Sequence, residues 1–483
     1  MSALPGQAPE FQPLPQRIKL FHGFGAVAFG IKDNGFSVFL LIFYNQVLGM
    51  DAALVSLALA LALIIDAFID PLLGNLSDRT YTSWGRRLPW LYAAPIPLAI
   101  AWVIMWQPPI GGEPTFFGLL AIAVVVRLLL SACEVPSTSL VPELTSDYDE
   151  RTTLFRYRFL SGWTGGLIML FLAYQVFLAG RLLEPEGYAI YGYFGAAVIF
   201  ISVIGSALGQ HSRVARLPKD KPPPFKLSVA FSEIIQALSE RSFLILAGGA
   251  LGAYVSQGMT FALSNYLYLY IWQFSEAVFA FYPIVLFLSV VLTFITLGPA
   301  HKKWGKPKVA AVATLISMVI YLIPYGFYWA GVWPEIGSTA SSALVLGFLL
   351  LSNTFGVMVM ISASSMVAEI VEAFEERTER RAEGSFYSGY WFIQKCATGI
   401  GIFLTGLIVA IAGLPEQAVP GEVAEPVIDS MILQYCIAIV VLGVVSAWFM
   451  NRFPIDRAEH EARVAALAAK TASGAVDDTP ANS

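Results

Sequence analysis

The stretch DAFIDPLLGNLSDRTYTSWGRRLP, residues 66–89, joins an apolar helix to a basic loop and decides the fold. The run that leads into it reads LALALALIIDAFID, so Asp66 and Asp70 lie four residues apart among aliphatic side chains. On insertion scales an ionisable group inside a membrane costs about 2.5–3.5 kcal/mol. Two carboxylates on one helix face therefore need neutralising partners or a function, and the other charged residues of the chain indicate which.

The composition is that of a membrane protein. Hydrophobic residues make up 57% of the 483 positions and charged residues 13%, whereas about a quarter of a soluble chain is charged. Many apolar runs reach the roughly 20 residues that a helix needs to cross a bilayer. The predicted spans are residues 22–47, 52–75, 89–107, 116–140, 155–179, 188–210, 243–271, 277–298, 309–331, 343–368, 386–412 and 428–451, named spans 1 to 12 below.

These runs predict an all-α membrane protein. Unpaired backbone groups are costly in lipid, so only helices and closed barrels cross it, and the runs lack the alternation of a barrel strand. Lys and Arg crowd the segments after spans 2, 4, 6, 8 and 10 and are nearly absent from the alternate loops. The positive-inside rule therefore predicts an even number of spans, with both termini in the cytoplasm.

The order of the segments predicts two halves of six helices each. A Pro- and Lys-rich segment divides the chain near its middle, and SWGRRLP (83–89) after span 2 has a weaker echo in KWGKPK (303–308) after span 8. The predicted domains are a cytoplasmic segment 1–19, an N-terminal half 20–211, a linker 212–242, a C-terminal half 243–451 and a disordered cytoplasmic tail 452–483.

The acid pair of span 2 predicts a cation site. Two carboxylates that close together cannot both stay charged in a dry site unless a cation neutralises them. Oxygen ligands suit a hard cation such as Na⁺, and without one, a carboxylate would hold a proton. The alternative is a purely structural salt bridge from Asp66 or Asp70 to a neighbouring helix.

Span 4 carries three further polar residues near one face, Arg127, Ser131 and Glu134, at spacings of four and three. Glu134 is a candidate third carboxylate for the cation site, and Ser131 a candidate neutral oxygen. Arg127 is the natural counter-ion for acids that hold no cation, or it holds Glu134 in place for structure alone.

Two lysines lie inside the predicted membrane region. Lys32 and Asp33 follow each other in span 1, and we expect them not to pair, because neighbouring helical residues point in different directions. Breaks at Gly30 and Gly35 suggest a bent or loosened helix that lines a cavity. Lys395 in span 11 is either a counter-ion for the acids or a hydrogen-bond donor to a substrate.

The loop after span 2 is predicted to act as a conformational latch. Asp78 can pair with a basic partner, and Arg86 and Arg87 anchor the loop in the cytoplasm. The charged segment EAFEERTERRAEGS (372–385) after span 10 is predicted to carry gate salt bridges in the same way.

These residues resemble a known family. Asp78-Arg79 followed by Gly85-Arg86-Arg87 resembles the loop signature of the major facilitator superfamily. Three further motifs are similar to those of the glycoside–pentoside–hexuronide:cation symporters, the melibiose permease-like family. They are DAFIDP, EVPSTSLVPEL and RAEGSFYSGYWFIQK. The resemblance implies the twelve-helix major facilitator fold. The family's cation-binding residues match Asp66, Asp70, Glu134 and Ser131, its helix-11 lysine matches Lys395, and its helix-1 sugar-binding acid matches Asp33.

The chain also departs from that family. Ile69 stands where the melibiose permeases carry an Asn, Thr138 where they have a Trp that stacks on the sugar, and Leu63 where they have a basic residue. Arg127 is an additional charge on helix 4. Lysolipid symporters share the fold and the acid pair, so an amphiphilic substrate stays open.

The sequence thus predicts a symporter of the cell membrane that moves a sugar or glycoside with H⁺ or Na⁺ by alternating access. The candidate residues for substrate binding or coupling are Lys32, Asp33, Arg127, Thr138 and Lys395. The expected partners are a small solute, a monovalent cation and the lipid bilayer; we expect a monomeric functional unit, no other cofactor and no nucleic acid. Remote alternatives are an intramembrane aspartyl protease, which needs its acids on different helices, and a non-transporting sensor.

Overall fold

The computed structural model describes residues 14–108, 113–145, 147–215, 235–378 and 382–455. In these ranges the chain is almost wholly helical, and the single β-type contact is an isolated bridge between Thr82 and Gly85. The prediction of an all-α protein is confirmed. Most of the predicted linker 212–242 and tail 452–483, and residues 1–13 of the predicted N-terminal segment, lie outside the described residues.

Within the described residues, eleven helices are long and apolar enough to cross a membrane. They are Gln16–Val47, Ala52–Asp78, Phe116–Leu144, Glu150–Phe177, Pro185–Val214, Arg241–Ile271, Glu276–Trp304, Lys306–Trp329, Thr339–Thr378, Glu383–Ala412 and Glu425–Asn451. The remaining span, span 3, consists of two shorter helices, Leu88–Ala93 and Pro95–Trp106. Twelve spans thus occur where the hydropathy predicts them, several with longer ends.

Local chemistry sets many helix ends. Proline occupies one of the first two positions of the helices that begin at Leu88, Pro95, Pro185, Lys306 and Glu425, where its missing N–H costs nothing. The side chains of Thr115 and Asp147 accept hydrogen bonds from Gly118 N and Glu150 N at two other starts.

Span 1 is irregular. It consists of the helices Gln16–Phe24, Val27–Asn34 and Leu40–Ile42 with wider π-helical turns at Gly35–Phe39 and Phe43–Val47. The predicted break at Gly35 is confirmed, because the first π-turn begins there. The predicted break at Gly30 is wrong, since Gly30 lies inside the helix Val27–Asn34. Its missing side chain serves close packing instead, because a Cβ there would lie 2.9 Å from Gly166 N and collide with the Gly162 carbonyl of span 5.

The chain divides into two compact units, Met1–Phe36 with Ile69–Phe225, and Ser37–Phe68 with Lys226–Ser483. In the first unit span 1 packs on span 5 through Gly30 and Gly162. In the second unit span 7 packs on span 11 in the same way, since a Cβ on Gly258 would lie 2.5 Å from the Thr398 carbonyl. The boundaries of the six-helix halves stay a prediction.

Candidate functional site

Span 2 presents the acid pair on one long helix. Asp66 and Asp70 lie one turn apart in Ala52–Asp78, and Asp66 is buried. The helix continues through Pro71, whose ring nitrogen has no hydrogen for the carbonyl of Ala67, four residues earlier. The turn that carries both acids thus also carries a backbone oxygen without its usual helical donor.

In the second unit Lys395 pairs with Asp66. The Lys395 ammonium lies 2.9 Å from Asp66 Oδ2, and the carboxylate is almost fully buried. Of the two roles predicted for this lysine, the contact favours the counter-ion. Its part in transport stays a prediction.

We expect Lys395→Met to lower the stability of the protein, because it removes the cation beside a buried carboxylate. Breaking a buried pair from one side typically costs about 3–5 kcal/mol. The double variant Asp66→Asn/Lys395→Met removes both charges and should recover most of the loss. Thermal unfolding of the purified protein in detergent measures the cycle, and a single variant as stable as the wild type would show that the pair contributes nothing.

In the first unit Lys32 bridges two acids. Its ammonium lies 3.0 Å from Asp33 Oδ1 and 3.4 Å from Glu134 Oε2. The expectation that Lys32 and Asp33 do not pair is therefore wrong. Their Cβ atoms diverge, but the long lysine stem is buried and curves back to the exposed Asp33 carboxylate. The bridge links span 1 to span 4.

Arg127 and Ser131 are both buried on span 4. The guanidinium carbon of Arg127 lies 4.2 Å from the centre of the Phe36 ring of span 1, a cation–π contact. Its predicted role as a counter-ion for the acids stays a prediction.

The structure adds Arg158 to the candidate residues. Arg158 is buried in span 5 and donates hydrogen bonds to Ser137 Oγ at 2.7 Å and to Thr138 Oγ1 at 2.9 Å. The Thr138 hydroxyl in turn donates to the Glu134 carbonyl at 3.0 Å. The positive-inside pattern assigns Arg158 to the basic segment after span 4, although it lies three residues inside the predicted span 155–179.

The loop after span 2 is tied down by Arg87. This guanidinium lies 2.6 Å from Asp78 Oδ1 and 2.9 Å from Glu143 Oε1, and it also donates to the Ser139 carbonyl. Gly85 forms the turn before it with a φ of +94°, a conformation that favours glycine. Arg79, at the start of the loop, donates a hydrogen bond to Asn75 Oδ1. Arg86 follows Gly85 directly in the chain. The latch function of this loop stays a prediction.

The echo of this loop after span 8 is shorter and shares its glycine turn. Gly305 has a φ of +78°, and the next residue, Lys306, lies 2.9 Å from the buried carboxylate of Glu369 in the helix Thr339–Thr378. Farther along that helix Arg377 pairs with Glu240 at 2.5 Å. Arg380 and Arg381 of the predicted gate segment lie outside the described residues. The matched glycine turns support the reading of KWGKPK as a repeat of SWGRRLP.

A buried network of neutral groups joins the end of span 1 to span 7 within the second unit. Tyr266 donates to Asn45 Oδ1 and Tyr270 to Gln46 Oε1, each at 2.9 Å, and Asn265 donates to the Val38 carbonyl at 2.8 Å. Gln46 also accepts from Ala418 N after span 11 at 2.9 Å. This amide–phenol network was not predicted; the pair Asn45-Gln46 at the end of an apolar run was its only signal.

Residues 21–457 match a family model described as "MFS/sugar transport protein". The chain belongs to this family of transporters, so the enzyme alternative is excluded. An isoprimeverose transporter of Lactiplantibacillus pentosus is 28% identical, over 78% of this chain and 76% of that one. A glucuronide carrier protein homolog of Escherichia coli is 26% identical, over 91% and 93%. The family resemblance drawn from the sequence motifs is thereby confirmed.

Solved transporters show the same fold. The crystal structure of a D-xylose–proton symporter aligns with a TM-score of 0.65 over 91% of this chain and 98% of that chain, at 14% sequence identity. The major facilitator fold predicted from the resemblance is confirmed by this similarity. The chain is therefore a multi-pass membrane protein of the transporter class.

Proposed function

We propose that this protein is a symporter that carries a sugar or glycoside across the cell membrane together with a monovalent cation, with both termini in the cytoplasm. The observation that carries the proposal is the acid pair of span 2, where Asp66 lies one turn from Asp70 and 2.9 Å from the Lys395 ammonium. A buried carboxylate that already holds an internal cation can exchange it for a mobile one.

The exchange gives a coupling step. When a cation binds to Asp66 and Asp70, it neutralises the charge that holds Lys395, and the lysine is released. When the cation leaves, Lys395 returns to Asp66 and balances the charge of that carboxylate. Glu134 and Ser131 are proposed as further cation ligands on the family resemblance alone.

The proposed solute is a sugar because the named relatives carry sugars. Within the first unit, charged and hydroxyl groups that can form hydrogen bonds with sugar hydroxyls come from Lys32, Asp33, Thr138 and Arg158. Arg127 stays a candidate residue of this group. The alternative solute is a lysolipid or another amphiphile.

Uptake into proteoliposomes tests the function. Isoprimeverose, a glucuronide and a lysophospholipid are offered in turn, each with an imposed Na⁺ gradient, an imposed H⁺ gradient or none. We expect accumulation of at least one sugar that depends on a cation gradient. Accumulation of the lysolipid alone would replace the proposed substrate class, and no accumulation of any solute would favour a non-transporting sensor.

We expect H⁺ to drive this transport and Na⁺ dependence to be weak. Na⁺ needs several oxygens at short range, and Ile69 offers none where the related permeases carry an amide. The charge of Arg127 on span 4 also disfavours a metal cation nearby, while a carboxylate still takes a proton. Uptake at fixed pH with and without Na⁺ decides between the ions. Strict Na⁺ dependence would contradict the prediction and point to the Ala67 carbonyl as the replacement ligand.

A further inference from the structure

The second unit contains a cavity of about 140 Å³ that the coupling site does not use. It lies among spans 7, 8, 9, 10 and 12. Its wall is mostly apolar and carries several hydroxyl and amide side chains, and no Asp, Glu, Lys, Arg or His is among the lining residues in the described chain. Its polar side chains include Ser256, Gln257, Thr260, Ser317, Ser352 and Asn353.

The amides of this cavity lie near the middles of their predicted spans, where a bilayer would be driest. Gln257 is the central residue of the predicted span 243–271, and Asn353 lies near the middle of 343–368. At this depth no bulk water can satisfy a polar group, so each amide needs a partner in the protein or a guest.

The partners of the two amides differ. Asn353 donates to Ser289 Oγ at 2.5 Å, and the Ser317 and Ser352 hydroxyls lie 3.2 Å apart. Within the described ranges no hydrogen-bond partner is found for the Gln257 side chain. Two N–H donors and a carbonyl therefore remain for a guest at the centre of the span.

Aromatic rings complete the wall. Phe261, Tyr268, Tyr282 and Tyr321 line the same cavity. Aromatic faces next to amides and hydroxyls suit a molecule with C–H faces and an edge of hydroxyl groups. An anion would find no cation among these side chains, and burying an unpaired charge is costly. This set of side chains suits an uncharged ring that carries hydroxyl groups on its edge.

We propose that this cavity binds one uncharged sugar ring of the solute, an inference that rests on the proposed function. A cavity of about 150 Å³ is known to hold a six-membered ring such as benzene, so the volume suits one ring rather than a whole oligosaccharide. The cavity gives the carrier a preference for neutral sugars over uronates and lysolipids.

The test measures binding of isoprimeverose to the purified protein by calorimetry, alongside its uptake. We expect Gln257→Leu to raise the Kd for isoprimeverose at least about tenfold, because the sugar loses its amide partner. Gly356→Ala should also weaken binding. A Cβ there meets only Ser317 Oγ at 3.8 Å, so the variant folds and its methyl group occupies cavity space.

The matched control is Gln434→Leu on span 12. Gln434 donates to Ser430 at 3.0 Å and does not line the cavity, so its Kd should stay within about twofold of the wild type. The wild type should also bind isoprimeverose at least about tenfold more tightly than a glucuronide.

Four results would overturn the inference. If the wild type transports isoprimeverose and both cavity variants bind it with an unchanged Kd, the sugar does not bind in this cavity. The proposed symporter function would still stand. An equal loss in Gln434→Leu would assign the effect to the fold, and tighter binding of the glucuronide would reject the uncharged class. A wild type that neither binds nor carries any sugar would remove the proposed function itself.

Discussion

Asp66→Asn and Asp70→Asn are each expected to reduce gradient-driven solute accumulation to the level of protein-free liposomes. An amide preserves the shape of the carboxylate but cannot take up a proton or neutralise a metal cation. Asp66→Asn leaves Lys395 without its carboxylate, but that lysine is partly exposed and keeps access to water, so the cost is smaller than that of Lys395→Met. The helix Ala52–Asp78 should therefore form in both variants, and exchange of solute between equal pools should continue. Loss of coupling with retained exchange is therefore the expected signature.

The matched control is Asp51→Asn. Asp51 is exposed just before the same helix and accepts a hydrogen bond from Leu54 N at 2.9 Å, which Asn can also accept. Its accumulation should equal that of the wild type. If Asp66→Asn or Asp70→Asn accumulates solute as well as the control, that acid does not belong to the coupling site.

Gly30→Ala is expected to prevent the protein from folding stably. The added Cβ collides with the Gly162 carbonyl and lies 2.9 Å from Gly166 N, so backbone blocks it on both sides. Overpacking typically costs about 1–3 kcal/mol when side chains can shift. Here spans 1 and 5 must move apart, so the loss should exceed that range.

The comparison variant is Gly298→Ala on span 8. Nothing lies within 4 Å of a Cβ at Gly298, and Ala is favoured over Gly in a helix by about 1 kcal/mol. Size-exclusion profiles in detergent should show a monodisperse peak for Gly298→Ala and aggregated protein for Gly30→Ala. A normal profile for Gly30→Ala would mean that spans 1 and 5 pack less closely than described.

Hydropathy and residue spacing were sufficient to predict the helices and the acid pair. A membrane span requires a long apolar run, and an ionisable group inside one is conspicuous. The partner of Asp66 was also accessible, because Lys395 is the one charge in span 11. It is therefore easier to predict from the sequence that a charge is buried than to predict its partner.

The prediction of side-chain contacts failed where a contact depends on the reach of a side chain or on packing between helices. Lys32 contacts Asp33 because its stem bends, which helix periodicity does not describe. A glycine in an apolar run predicts a bend or a close contact equally well, and Gly30 makes the close contact. Arg158 lies near the end of its span, where a side chain can turn inward or outward, and only packing decides.

The amide–phenol network between spans 1 and 7 contains no formal charge, whereas Arg87 and Lys306 hold their loops by ion pairs. Dissolved salt screens ion pairs at the surface over about 8–10 Å and leaves buried neutral hydrogen bonds nearly untouched. The neutral network should therefore keep its strength over a wide range of salt concentration, whereas the pair of Arg87 with Asp78, whose side chain is about half exposed, should weaken as salt is added. The Lys306–Glu369 pair lies between these two cases, because its carboxylate is buried.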